Sequence, residues 1–283
     1  MINHTLTRVG FKNFETKITN MKKITLLIML GVAVGFSSCN KDGCTDPTAL
    51  NYDSKAEGDD GSCVYLAENL NFKFNSKLGT QDFAFGTEAT VNGRKVKFTR
   101  AQMYVSGFTF NGAGAATSTV QHLLLQADET DYSLGYLPVG NYSTFSFSAG
   151  VDSVSNHLDP ASFSSTNALS SNNPNHMHWG WDPGYIFYVL EGMVDTTANM
   201  DGAVDAPFIF HVGTDALRVD MAFVKTVNST TEDVTVEMDI DWLKLLDGTN
   251  MMGEVSTRST HTSNNPALAA LMASNLDGAF SVH

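Results

Sequence analysis

From residue 69 onward, apolar and polar residues alternate in short runs, and the period is that of a β-strand rather than a helix. Leu70-Asn71-Phe72-Lys73-Phe74 sends every second side chain to one face, the pattern of a strand with one side in a core. The same period marks Lys95–Phe98, Met103–Phe110, Val120–Leu125, Tyr142–Phe147, Ile186–Leu190, Phe208–Val212, Leu217–Val224 and Val234–Ile240. Turn formers punctuate them at Asn92-Gly93, Asn111-Gly112, Pro138-Val139-Gly140 and Asp201-Gly202. Short strands in succession predict an all-β fold, an antiparallel β-sandwich of immunoglobulin-like or Greek-key type. One or two short helices are expected near the C-terminus. Asp241–Leu246 reads as a turn or two ended by Asp247-Gly248, with Trp242 in ordinary packing. Pro266–Asn275 reads as a helix with Asn265 as its cap and Pro266 at the first helical position. Between the strands, residues 152–176 form a long Ser/Asn-rich polar loop, and loops of that length are more often functional than idle.

The N-terminus has a different pattern. Met21-Lys22-Lys23 is a basic start, and Ile24–Phe36 is an apolar run too short for an ordinary membrane-spanning helix. Met21 is the expected true start, with residues 1–20 an upstream extension. Ser37-Ser38-Cys39 resembles the lipobox of bacterial lipoproteins, which implies cleavage before Cys39, its lipidation, and export to the outer membrane. Ordinary signal-peptidase cleavage is the alternative. Of the 3 cysteines, Cys44 and Cys63 then remain as an even pair, expected to form a disulfide in an oxidising compartment. A two-cysteine metal site is the competing use.

Residues 44–63, CTDPTALNYDSKAEGDDGSC, resemble the small cysteine-bounded acidic modules of Bacteroidetes surface proteins. Their carboxylates suit calcium, although the spacing is not that of an EF-hand, and a solvated acidic spacer is the plainer reading. The expected organisation is therefore residues 1–38 as extension and signal, 39–68 as anchor linker and acidic module, and 69–283 as the sandwich domain.

Formal net charge is −13 for the whole chain. Such a surface repels nucleic acid and leaves the lipid as the only expected contact with a membrane. No phosphate-binding glycine loop, nucleophile elbow or Cys-x-x-Cys pair is present in the sequence. The chemistry concentrates instead in residues 172–192, NNPNHMHWGWDPGYIFYVLEG. His176 and His178, two apart, can face one metal from an extended backbone. His211 lies within an apolar strand, where an imidazole is costly unless its nitrogens are satisfied. It is either a third ligand or a core histidine bonded to backbone. Glu191 reads as a structural carboxylate or, less simply, as a base.

Several motifs together resemble the MbnP-like family of exported copper-binding proteins. These are Met103-Tyr104-Val105-Ser106-Gly107-Phe108, Leu137-Pro138-Val139-Gly140-Asn141-Tyr142, and Gly150-Val151-Asp152-Ser153 with Leu158-Asp159-Pro160. Met177–Trp181, Gly184–Phe187, Leu190-Glu191-Gly192 and Phe210-His211-Val212-Gly213 complete the set, in the family's order. The insertion between Pro160 and His176 departs from the short connection of the family. The resemblance implies copper, as Cu(I) or Cu(II), on His176, His178 and His211, with Met177 as a soft neighbour. It also implies Trp179 or Trp181 as the tryptophan opened to kynurenine by a partner resembling a dihaem cytochrome-c peroxidase. No catalytic turnover is expected. The competing classes are a zinc hydrolase on the same histidines with Glu191 as base, and a surface interaction or adhesion module whose metal is structural.

Overall fold

In the computed structural model the described residues are 41–65, 70–112, 117–118, 122–180, 183–197 and 203–283. Cys39, Trp181 and the Asp201-Gly202 turn lie outside them. The chain divides into two compact units after Cys63. In the first, Cys44 and Cys63 form a disulfide, and Asp42–Gly43 pairs in parallel with Gly58–Asp59. Its acidic side chains cap local turns: Asp46 accepts from Thr48 N–H, Asp53 from Lys55, Asp59 from Gly61 and Asp60 from Ser62. Four of the carboxylates are thus engaged by backbone donors, and no three converge as a metal-binding group among the described residues.

The second unit, Val64–His283, is the sandwich. Its longer strands are β1 (Leu70–Leu78), β2 (Arg94–Gly112), β3 (His122–Gln126), β4 (Asp131–Gly135) and β5 (Gly140–Ala149), followed by β6 (Tyr188–Val194), β7 (Ala206–Val212), β8 (Val219–Ser229) and β9 (Val234–Asp241). The larger sheet runs β8-β5-β2-β6-β7 and ends on the short strand Ser259–Thr260, with β3 also paired to β2. In the smaller sheet β1 lies between β9 and β4.

Two differences from the expected pattern stand out. The runs Lys95–Phe98 and Met103–Phe110 are parts of one continuous strand, β2. Gly107, at φ +68°, makes the bulge that carries β2 past a register shift against β5. The sheets are also not wholly antiparallel, since β1 pairs in parallel with β9 and β7 with Ser259–Thr260. The sole α-helix of more than one turn among the described residues is α1 (Pro266–Ser274), capped as the sequence predicts by Asn265, whose side chain accepts from Leu268 N–H at 3.2 Å. Trp242 is fully buried before a 3-10 turn and donates its indole N–H to Ser76.

Phenylalanines fill the space between the sheets. Phe147 has five aromatic rings around it: Phe74, Phe108, Phe145, Phe223 and Phe280, at centroid distances of 5.2 to 6.5 Å. Such pairs add to simple burial through their edge and face charges. The polar loop after Gly150 is pinned onto the outer face of β2. Tyr104 Oη accepts from Met177 N–H, Tyr185 Oη donates to the Leu169 carbonyl, and Leu169 and Met177 are buried. Truncating Phe147 to alanine is expected to cost about 3–5 kcal/mol in denaturant unfolding. A loss under about 1 kcal/mol would mean that the ring cluster does not hold the sheets together.

Candidate metal centre

Register decides where His211 points. In β7, Phe208, Phe210 and Val212 enter the core, so Pro207, Ile209 and His211 face outward. The antiparallel partners are Val189 for His211 and Glu191 for Ile209, which sets Glu191 diagonally beside the imidazole. Glu191 Oε1 lies 2.8 Å from His211 Nε2. The carboxylate also faces Arg100, directly paired with it across β2, at 3.6 Å.

On its other side β7 meets a residue that the sequence reading does not single out. Ile209 and Phe210 pair in parallel with Ser259 and Thr260. The next residue of each strand is a histidine, and the His211 and His261 ring centroids are 4.7 Å apart. Thr262 secures the juxtaposition. Its hydroxyl accepts from Gly213 N–H at 3.0 Å and donates to the His211 carbonyl at 3.2 Å. Thr262 and Thr214 both have positive φ, 61° and 120°. Non-glycine residues hold such angles only where their surroundings impose them. Both line a cleft of about 310 Å³ together with His261, Trp179, Pro183 and Ser263. Trp179 rests against Gly213, where a Cβ would meet its ring at 3.0 Å.

His176 and His178 are placed differently. His176 closes a turn on Asn173 instead of continuing an extended strand, and its Nδ1 donates to the Asn173 carbonyl at 2.8 Å. Nε2 is left with the lone pair. His178 packs edge-on against Tyr185, at 4.6 Å, and its Nδ1 accepts from Gly180 N–H. That bond puts the proton of the neutral ring on Nε2, so His178 offers no free lone pair in this arrangement. Met177 is packed in the core. Among the described residues no three His, Cys, Asp or Glu side chains gather as a metal-binding group. The expected His176–His178–His211 set is therefore not assembled here. The histidine rings in direct contact are instead those of His211 and His261.

The fold and this edge define a β-sandwich that carries an imidazole pair beside a tryptophan-walled cleft. A family model described as MbnP matches residues 67–264, and the chain belongs to the MbnP family, which is associated with copper. Among solved structures, MbnP from Methylosinus trichosporium is similar, with a TM-score of 0.53 over 77% of this chain and 98% of that one. Identity is 16%, so the likeness is one of fold. The curated proteins contain no match.

Burial holds the pKa of both His211 and His178 below the ordinary value; for His211 the Glu191 bond opposes this and the charges of His261 and Arg100 add to it. For His178 the charge of His176 adds to burial. Both rings are neutral at pH 7, the state a metal requires. As pH falls through 6.5 the unfolded chain takes up these protons before the folded one. Stability therefore declines below that pH and is fully retained above it. Ring C–H resonances of His178 and His211 should titrate with midpoints under 6.5; midpoints at or above it would contradict the burial described.

Proposed function

We propose that this chain is an exported copper-binding protein without catalytic turnover, anchored by lipid on Cys39, and that copper is held at the His211–His261 edge. The observation that carries the reading is the ring pair, with His211 already oriented by Glu191. Two neutral imidazoles suit Cu(I), which accepts few nitrogen ligands, whereas hard cations need a shell of oxygens and structural zinc needs four donors. The donor set of this edge therefore fits copper better than calcium, magnesium or zinc. Bound copper would supply a soft redox-active ion at a partly apolar surface.

Of the two candidate tryptophans, Trp179 shares the cleft with His261, which supports its oxidative opening to kynurenine. A partner resembling a dihaem peroxidase would carry out that oxidation. Peptide mapping of protein from its native host should find kynurenine at position 179 and lipid on Cys39. Unmodified Trp179 and Trp181 together would remove the peroxidase from the proposal and leave the histidine site intact.

Titration of the purified sandwich with Cu(I) against a competing chelator tests the copper site itself. One tight equivalent is expected, weakened by more than about 100-fold in His211→Ala and in His261→Ala, beyond the usual cost of losing a supporting residue. His178→Ala is expected to bind as the parent does. Unchanged binding in both His211→Ala and His261→Ala would sink the assignment.

A further inference from the structure

Glu191 lies in a line of polar side chains that crosses four strands on the outer face of the larger sheet. His211 on β7 is bonded through Nε2 to Glu191 on β6 at 2.8 Å, and Arg100 on β2 reaches the same carboxylate oxygen at 3.6 Å. Arg100 Nε in turn donates to Gln102 Oε1 at 2.8 Å, and Gln102 Nε2 donates to Gln126 Oε1 on β3 at 2.8 Å. Each member is set by strand register: Glu191 pairs with Arg100, and Gln102 with Gln126. The line starts at the imidazole, and every link toward Gln126 fixes the one before it. Arg100 is thereby bonded to Gln102 while its positive charge faces the Glu191 carboxylate.

A carboxylate can only accept from a neutral imidazole, so the Nε2 proton of His211 belongs to this bond. The lone pair is then on Nδ1. A carboxylate behind a ligating imidazole fixes its tautomer and orientation and makes it a stronger donor. We infer that Glu191 is the positioning residue of the site, committing His211 to bind its metal through Nδ1, and that Arg100, braced by Gln102 and Gln126, holds Glu191 to that task. The inference rests on His211 being a copper ligand, as proposed above. It adds the ligating atom and four residues that touch no metal.

The test separates the two claims. Protein labelled with ¹⁵N in histidine is examined by long-range proton–nitrogen correlation, first without metal and then with one equivalent of Cu(I), which is diamagnetic. The expected result is a protonated His211 Nε2 in both states, with Nδ1 the His211 nitrogen that the metal displaces and a nitrogen of His261 displaced with it. Displacement of Nε2, with a proton appearing on Nδ1, would overturn the role of Glu191 while leaving the copper site standing. Binding of Cu(I) with neither His211 nitrogen displaced would overturn both. As a second measurement, Glu191→Ala should lower Cu(I) affinity about 10–100-fold. In Glu191→Gln, whose amide oxygen still accepts from Nε2–H, Nδ1 ligation should be retained with part of the affinity restored. Equal loss in Ala and Gln, with Nδ1 no longer displaced in Gln, would count against a hydrogen-bonding role.

Discussion

The antiparallel register between Tyr188–Val194 and Ala206–Val212 is the constraint on which the rest depends. It puts Phe208, Phe210 and Val212 into the core and turns His211 out beside Glu191. A slip of one residue would reverse every side chain of the strand, burying the imidazole and exposing its core residues. Hydrophobic burial in the sandwich therefore aims the imidazole. The strand that buries Phe210 cannot do so without presenting His211. The parallel pairing of Phe210 with Thr260 extends the same logic by one strand and brings His261 alongside.

Much of the sandwich is legible in the alternation of residues, because most strands have one face in the core and the other in water. Alternation fails where both faces are covered. Ala101–Ser106 are all buried, since the loop after Gly150 lies across the outer face of β2 through Tyr104. The strand of 19 residues reads as two for another reason: a register shift against β6 between Phe98 and Arg100 interrupts the alternation there. The loop itself is recognisable by length and composition. Its attachment is not, because it depends on hydroxyls of Tyr104 and Tyr185 that are distant in sequence from Met177 and Leu169 or carry no periodic signal. The helix Pro266–Ser274 is readable from its Asn265-Pro266 start, a local signal that tertiary contacts do not need to supply.

The site is legible only in part, for a related reason. His176, His178 and His211 stand out because they sit beside tryptophans or inside an apolar run. His261 lies in a polar stretch, Ser259-Thr260-His261-Thr262-Ser263, where nothing local distinguishes it. Its significance comes from a two-residue parallel pairing between segments about fifty positions apart, which periodicity does not encode. Conversely, the sequence counts His178 among the expected ligands. The Gly180 N–H that occupies its Nδ1 is a backbone effect of the bend at Gly180, whose φ is 137°. Glu191 is seen in the sequence as a structural carboxylate, and its partner proves to be an imidazole instead of the backbone.

The central claim is that copper binds between strand β7 and the short strand beside it, on His211 and His261. Anomalous diffraction at the copper edge from a Cu(I)-loaded crystal tests it most directly. A single strong peak within bonding distance of a nitrogen of each ring, with His211 still bonded to Glu191, is the result the account predicts. A peak at His176 and His178, with the His211–His261 edge empty, would contradict it.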